Sequence, residues 1–364
     1  DKKLALAAAL FAVGGYTLVT WSRLNLSGLS DSDINIYSRP SVPLYAMVGL
    51  FLYLNLLVRS LKSSSRYYHV FGACLSLGLL FYVYFYGWSF AYALTGILFC
   101  IYLFKKDFRR AKKVLLVALA GILVGFYFFF NLFQISYSDV GQRILLFTMS
   151  YGRYFAFSKI AFIALLLALI FWFKNPISEN WPILLSIALA SLVSLNQQLI
   201  TGRSLQPVHY FWYFVIPASI LVSIFAIWSL LPGDKYRALF LMVLIFAAYV
   251  NTAFEQYRGL KINMPLKQYA QSYRPIIDYL NQDSRGGVIL ASDRFYRTVL
   301  LVYTPYDLFW NESAAVFNTP LERFKEALYV YLYLNKESRD DFAGYINKVM
   351  KRPSDSESPY QNIY

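Results

Sequence analysis

The densest run of side chains able to do chemistry is Asn196-Gln197-Gln198-Leu199-Ile200-Thr201-Gly202-Arg203-Ser204-Leu205-Gln206-Pro207-Val208-His209-Tyr210. Three consecutive amides close an apolar stretch. Lipid tails cannot satisfy their donors and acceptors, so Asn196, Gln197 and Gln198 must face protein or water, which implies a polar mouth that Thr201 and Gln206 extend. Arg203 brings a planar fork that fits a phosphate oxygen, and His209 an imidazole able to hydrogen-bond or shuttle a proton. The same residues would also serve simply to finish a helix at an interface.

A second group is cationic. Arg143, Arg153 and Lys159 flank the aromatic-rich stretch 144–157, which reads as an amphipathic helix lying along a membrane surface. Cations there suit a lipid diphosphate, or only a solvated interfacial face. Three acids, Asp31, Asp33 and Asp139, fall in the loops of the same side as Arg203. Any of them fits a general base or a divalent-metal ligand, and none has a spacing that selects one role over a structural one, so the cofactor stays open. His69 reads as interfacial. Tyr82, Tyr84, Tyr86 and Trp88 crowd one turn, as an aromatic belt or as the wall of a sugar or prenyl cleft. No Gly-rich phosphate loop, zinc-ligand cluster or nucleophile elbow is present.

These residues are carried by an apolar chain. Of its 364 residues 58% are hydrophobic, 19% aromatic and only 15% charged, well outside the habit of a water-soluble domain. A formal charge of +14 would ordinarily raise nucleic acid as a partner. Its location excludes that: residues 1–254 carry 20 Lys and Arg against 7 Asp and Glu, and the remainder 14 against 13. Cys74 and Cys100 lie inside apolar runs, as small buried hydrophobes rather than a disulfide framework. Asp1-Lys2-Lys3 leads straight into an apolar stretch with no small-residue cleavage site, which reads as a truncated start rather than a signal peptide.

Crossing about 30 Å of hydrocarbon takes about 20 mostly apolar residues in a helix. Nine runs qualify, at about 4–21, 43–59, 67–84, 87–104, 114–133, 157–173, 182–200, 211–231 and 238–254. The uncharged stretch from Tyr67 to Phe104 is too long for one crossing, and a turn near Gly87 is expected to divide it. Orientation follows from Lys and Arg. With the amino end cytoplasmic, the inner segments hold fourteen, from Lys2 and Lys3 through Arg59, Lys62, Arg66 and the Lys105–Lys113 run to Lys174, Lys235 and Arg237. The outer segments hold six, Arg23, Arg39, Arg143, Arg153, Lys159 and Arg203, spread over longer loops.

The expected architecture is an all-α polytopic bundle of about nine transmembrane helices over 1–254, a small α/β extracytoplasmic domain over 255–352 and a flexible end over 353–364. In the tail, Pro275–Leu280, Pro320–Leu334 (capped by Thr319) and Ser338–Met350 pattern as helices, and Val288–Ala291 and Thr298–Tyr303 as strands.

The Tyr86-Gly87-Trp88-Ser89 turn, the Asn-Gln-Gln-x-x-Thr-Gly segment with His209 after it, and a tail containing Val288–Asp293 resemble the carboxy-terminal portion of bacterial GT-C type integral membrane glycosyltransferases. The resemblance implies transfer of a sugar from a polyprenyl-phosphate donor to a glycan or protein acceptor, on the extracytoplasmic face of the bacterial plasma membrane. It also implies a catalytic acid in the first outward loop of the complete protein, to which Asp31 and Asp33 cannot be matched. Other classes consistent with the residues are a polysaccharide polymerase, a lipid-linked glycan flippase or transporter, and a noncatalytic assembly protein. Pseudo-symmetric halves or charges in mid-helix would favour transport, and neither is evident.

Overall fold

The computed structural model describes residues 1–20, 37, 42–62, 64–149, 153–203, 207–283, 286–291, 294–310 and 320–350. Asp31, Asp33, Gln206, Thr319 and the end 353–364 lie outside the described residues. The chain forms two compact units, one from Asp1–Leu132 and Met149–Gly259, the other from Phe133–Thr148 and Leu260–Ser358.

The first unit is helical throughout, and each of the apolar runs is helix: α1 (Lys2–Gly14) with α2 (Tyr16–Val19), α3 (Val42–Leu61), α4 (Tyr67–Val83), α5 (Phe85–Phe104), α6 (Phe108–Val124) with α7 (Phe126–Ser136), α9 (Lys159–Lys174), α10 (Trp181–Leu195) with α11 (Gln198–Thr201), α12 (Pro207–Tyr210) with α13 (Ile216–Leu230), and α14 (Gly233–Gln271). Five stretches among the described residues are long and apolar enough to cross a membrane: Leu44–Leu61, Phe85–Phe104, Trp181–Thr201, Val208–Leu230 and Gly233–Pro265. A sixth is the pair α6 and α7, bent by 55° at Gly125. This is the composition of a multi-pass integral membrane protein. Helices α1, α4 and α9 are shorter, at 13, 17 and 16 residues.

Packing follows the rules of a nonpolar solvent. Large apolar side chains such as Phe104, Leu123, Phe126, Phe246 and Tyr249 stand exposed on the outside, while Ala, Gly and Ser fill the helix contacts. Buried Ser76, Ser186 and Ser191 donate to carbonyls of their own helices, so these three hydroxyls are satisfied without a partner helix. Tyr53 of α3 and Thr95 of α5 pair hydroxyl to hydroxyl inside the bundle.

The expected division near Gly87 falls instead at Tyr84, which is extended (φ −165°, ψ 128°). Gly87 already lies in α5 and lets that helix close on Ala46 of α3. The residues expected to start a soluble tail at 255 continue as α14 through to Gln271, and the second unit takes over only at Leu260. Thr17, Asn251 and Glu255 form a buried polar contact between α2 and α14: Asn251 Nδ2 donates to Gly14 O at 2.6 Å and to Thr17 Oγ1 at 2.9 Å, and Thr17 Oγ1 lies 3.3 Å from Glu255 Oε1. Gly14 permits this approach, since a Cβ there would fall 3.1 Å from the Ala248 carbonyl.

In the second unit, α8 (Asp139–Phe147) accompanies α15 (Arg274–Gln282), α16 (Arg294–Tyr303), α17 (Leu321–Leu334), α18 (Lys336–Asp340) and α19 (Phe342–Met350). Two strands of two residues each, β1 (Val288–Ile289) and β2 (Asp307–Leu308), pair in parallel. The stretch Thr298–Tyr303, expected as a strand, is the second half of α16. Buried Arg297 and Leu300 sit three residues apart on one helical face, a period a short apolar run does not reveal. A parallel pair needs a crossover, and α16 supplies it. Trp310 centres the small core, with ring centroids 4.9 Å from Phe324 and 5.7 Å from Tyr331, and Arg297 lies over Tyr331.

Replacing Gly14 by Leu forces α1 from α14 and is expected to cost about 1–3 kcal/mol by overpacking. Thermal unfolding in detergent micelles checks this, with Gly96→Leu, where a side chain meets open space, expected to leave the midpoint unchanged.

Candidate functional site

Four interruptions of the helical ladder gather at one end of the first unit. Gly15 separates α1 from α2, Tyr84 separates α4 from α5, Asn196 and Gln197 separate α10 from α11, and a π-helical turn, Phe211–Val215, joins α12 to α13. A freed backbone group inside a membrane protein needs a partner, and side chains at this end supply several. Tyr37 donates its hydroxyl to the Trp212 carbonyl in the π-turn at 2.8 Å. Burial, with Tyr16 and Tyr213 close by, raises the Tyr37 phenol well above its ordinary value and keeps it a neutral donor. Tyr16 packs edge-on to Tyr37 at 4.9 Å and to Trp212 at 6.0 Å.

The break at Tyr84 and the turn around His209 meet. Tyr84 hydroxyl and His209 Nδ1 are hydrogen-bonded, and the imidazole sits 5.2 Å from the Tyr86 ring and 5.7 Å from Tyr213. Beside them Ser89 Oγ and Tyr210 hydroxyl pair at 2.6 Å. Segments 84–89 and 207–213, far apart in the chain, thus make one half-buried cluster of a histidine, four tyrosines and a serine. The hydrogen bond to Tyr84 fixes the orientation of the imidazole within the cluster.

The amides do something narrower than line a mouth. Asn196, 8% exposed, accepts from Ala156 N at 2.7 Å and donates to Ala156 O and Leu192 O, both at 2.9 Å. Gln198, 1% exposed, donates to Tyr154 O at 3.1 Å. Together they hold the extended residues 153–158 against the end of α10, as a neighbouring strand would. Gln197 and Thr201 close their own turn: Gln197 Nε2 donates to Arg203 O at 2.8 Å, and Thr201 Oγ1 accepts from Arg203 N at 3.1 Å. Gly202 takes a left-handed φ of +65°, and Arg203 bridges to Met149 in antiparallel fashion.

That stapling brings two cations together. A Cβ on Gly202 would come within 2.9 Å of Arg153 Nη2, so the Arg153 guanidinium lies across the same turn that presents Arg203. Both arginines are exposed. Arg153 has φ 44°, a conformation that costs a non-glycine residue energy and persists only where its surroundings fix it. Lys159 begins α9 a few residues on, with Ser158 as N-cap. The amphipathic helix expected over 144–157 stops at Phe147, because the backbone of Ala156 and Tyr154 is engaged by Asn196 and Gln198. Arg143 and Asp139 lie on α8 in the second unit.

Glu255 escaped notice as the presumed first residue of the tail. It is a buried carboxylate on a membrane-length helix, beside Thr17, whose chain neighbour Tyr16 packs on Tyr37 and Trp212. The sequence placed Glu255 directly after the apolar run 238–254, within helical reach of it. Among the described residues no three His, Cys, Asp or Glu side chains gather as metal ligands. Comparison with protein-family models, with curated proteins and with solved structures returns no match.

Removing the Asn196 side chain strands the Ala156 N–H and C=O, each worth about 1–3 kcal/mol when buried unpaired. Asn196→Ala is expected to release the 153–158 segment and speed tryptic cleavage after Arg153 several-fold; Gln197→Ala, at an exposed turn, is not. Equal cleavage rates in both variants would refute the clamp.

Proposed function

We propose that the chain handles a lipid-linked glycan phosphate at the His209 end of the bundle, and that its reaction is transfer of a sugar from a polyprenyl-phosphate donor. The observation that carries this is the convergence of His209, Tyr84 and Ser89 at the same end as the Arg153–Gly202–Arg203 turn. Guanidinium groups bind a phosphate diester or diphosphate, and tyrosine faces bind the nonpolar faces of sugars or prenyl units. Donor phosphate rests on Arg153 and Arg203. His209, oriented by Tyr84, orients the donor or acceptor beside the arginines. Asn196 and Gln198 act by holding the arginine-bearing segment, not by touching substrate. The base that takes the acceptor proton comes from an outward acid, with Asp31 and Asp33 as its candidates in this chain.

Nine crossings, a cytoplasmic amino end, an extracytoplasmic second unit of α/β character and a bacterial plasma membrane complete the proposal. Two features support its topology. The cations assigned to the inner side collect at the ends of α3, α5 and α9 and the starts of α1, α4, α6 and α14, away from His209. The second unit, 133–148 with 260–358, is drawn from two of the stretches assigned to the outer side, 134–156 and the residues after 254. The acceptor, a glycan or a protein, meets the donor on that side.

A second reading, flippase or transporter, is favoured by Glu255. A buried carboxylate bonded to Thr17 within a membrane helix is the usual mark of a proton or ion path. Glu255→Gln separates the two, as it would abolish proton-coupled movement of lipid-linked glycan while leaving transfer to an acceptor already on the outer face.

Arg203→Ala and His209→Ala are each expected to cut glycan product in intact cells by about ten- to a hundredfold with expression unchanged, the range of one lost charge-assisted or catalytic hydrogen bond. Undiminished product would remove both from the site. A cysteine at Gln206 should react with a membrane-impermeant maleimide added to whole cells. Labelling only after the cytoplasmic side is opened would overturn the topology and the transfer reading together.

A further inference from the structure

At the other end of the first unit, α3 leaves a cleft of about 400 Å³ against α10 and α13. Its size lies within the range of small-molecule sites, about 300–1,000 Å³. One face of α3 runs through it. Phe51, Asn55 and Arg59 stand four residues apart and so lie on one stripe, with Lys62 a turn beyond. Ile183 and Ile187 of α10 and Leu221 of α13 form the facing wall.

The stripe changes character in a fixed order. Phe51 is apolar, Asn55 about 6 Å further along the axis is an amide, and Arg59 another 6 Å on is a cation. A phospholipid presents the same order over the same distances: acyl chain, glycerol ester, phosphate. Asn55 is exposed in an otherwise apolar membrane-length helix, where an amide without a partner is costly. Neighbouring cations are already spoken for: Lys113 Nζ donates to Ser60 O at 2.8 Å, Arg110 Nε to Leu61 O at 3.2 Å, and Arg110 also pairs with Asp107 and Glu179. Among the described residues no carboxylate pairs with Arg59 or Lys62.

We propose that the α3–α10–α13 cleft is a binding site for one anionic glycerophospholipid, its phosphate held by Arg59 and Lys62, an ester carbonyl by Asn55 and one acyl chain between Phe51, Ile187 and Leu221. Basic pockets between membrane helices take anionic head groups in this way. The site stands apart from the His209 end and does not depend on sugar transfer.

The test is native mass spectrometry of the whole chain in detergent micelles, titrated with phosphatidylglycerol and with phosphatidylcholine of the same chains. One phosphatidylglycerol should remain bound in preference to phosphatidylcholine. Arg59→Gln with Lys62→Gln should weaken it by about 30-fold, the worth of two cations near a membrane surface, while Arg59→Lys keeps it. Arg109→Gln with Lys112→Gln, two exposed cations on α6 outside the cleft, should change little. Ile187→Trp, which fills the chain slot and keeps both charges, should also lose the lipid, so the two kinds of variant check each other if one fails to fold. Equal losses from the cleft and control charge pairs would reduce the effect to diffuse attraction and overturn the site. So would full retention in Ile187→Trp, or displacement of phosphatidylglycerol by an equal concentration of a polyprenyl phosphate.

Discussion

Hydrocarbon offers a backbone no hydrogen bonds, and most of what is distinctive in the first unit follows from that constraint. An unbroken helix satisfies it internally. Wherever the ladder stops, carbonyls and amides must be met by something else, and here side chains do it. Asn251 meets the Gly14 carbonyl, Tyr37 the Trp212 carbonyl in the π-turn, and Asn196 both backbone groups of Ala156. The polar groups of the candidate site are therefore first of all the repair of these breaks. The repairs gather the His209 ring, the tyrosine faces and the arginines of the stapled turn at this one end.

The basic end is built on a different use of polarity. Helices there begin and end cleanly, with Asp107 capping α6 through the Arg110 amide. The Arg110 and Lys113 side chains then reach back to the last carbonyls of α3, the role cations favour at a helix C-terminus. Lys105 stands over Trp181 at 4.7 Å, and Arg237 over Trp228 at 5.6 Å, so ring faces hold other cations at the interface. The same Lys and Arg residues thus orient the chain by their number and fasten neighbouring helices by their contacts. Arg59 and Lys62 differ in facing a cleft instead of a carbonyl.

Hydrophobic runs were legible because length and apolarity alone define them, and the stretch Tyr67–Phe104 had to be two helices on length. Its break was misplaced by three residues, since Gly87 looks like a turn residue and serves instead as a contact with α3, while Tyr84 bends the chain to meet His209. A partner so distant leaves no local trace. The demand of the three amides for polar company was equally readable. That Asn196 and Gln198 find it in the backbone at 154–156 was not, because the extended segment is held by those very side chains and has no pattern of its own. In the tail, the strand β2 follows Pro305 and has two residues, too few for alternation to register, and α16 was mistaken for it through a short apolar run that fits either period. Glu255 was lost to a boundary drawn by composition, where the helix simply continues.

The distribution of the breaks bears on whether the His209 end is a site or an accident of sequence. Gly15, Tyr84, Asn196 and the 211–215 turn are carried by different helices, some running toward this end and some away from it, yet all lie there. Gly125, where α6 bends into α7, belongs with them, as α6 starts among the basic residues. Flaws scattered without purpose would fall at both ends. A π-turn adds weight, since such insertions cost hydrogen-bond geometry and concentrate where function repays it. Val208–Leu230, which contains that turn, is also the most deeply buried of the five membrane-length stretches, so its irregularity cannot be relieved by facing lipid. Irregular backbone at this position is tolerated because protein surrounds it, and it aims His209 and Tyr213 into the space that Tyr84 and Tyr86 enclose.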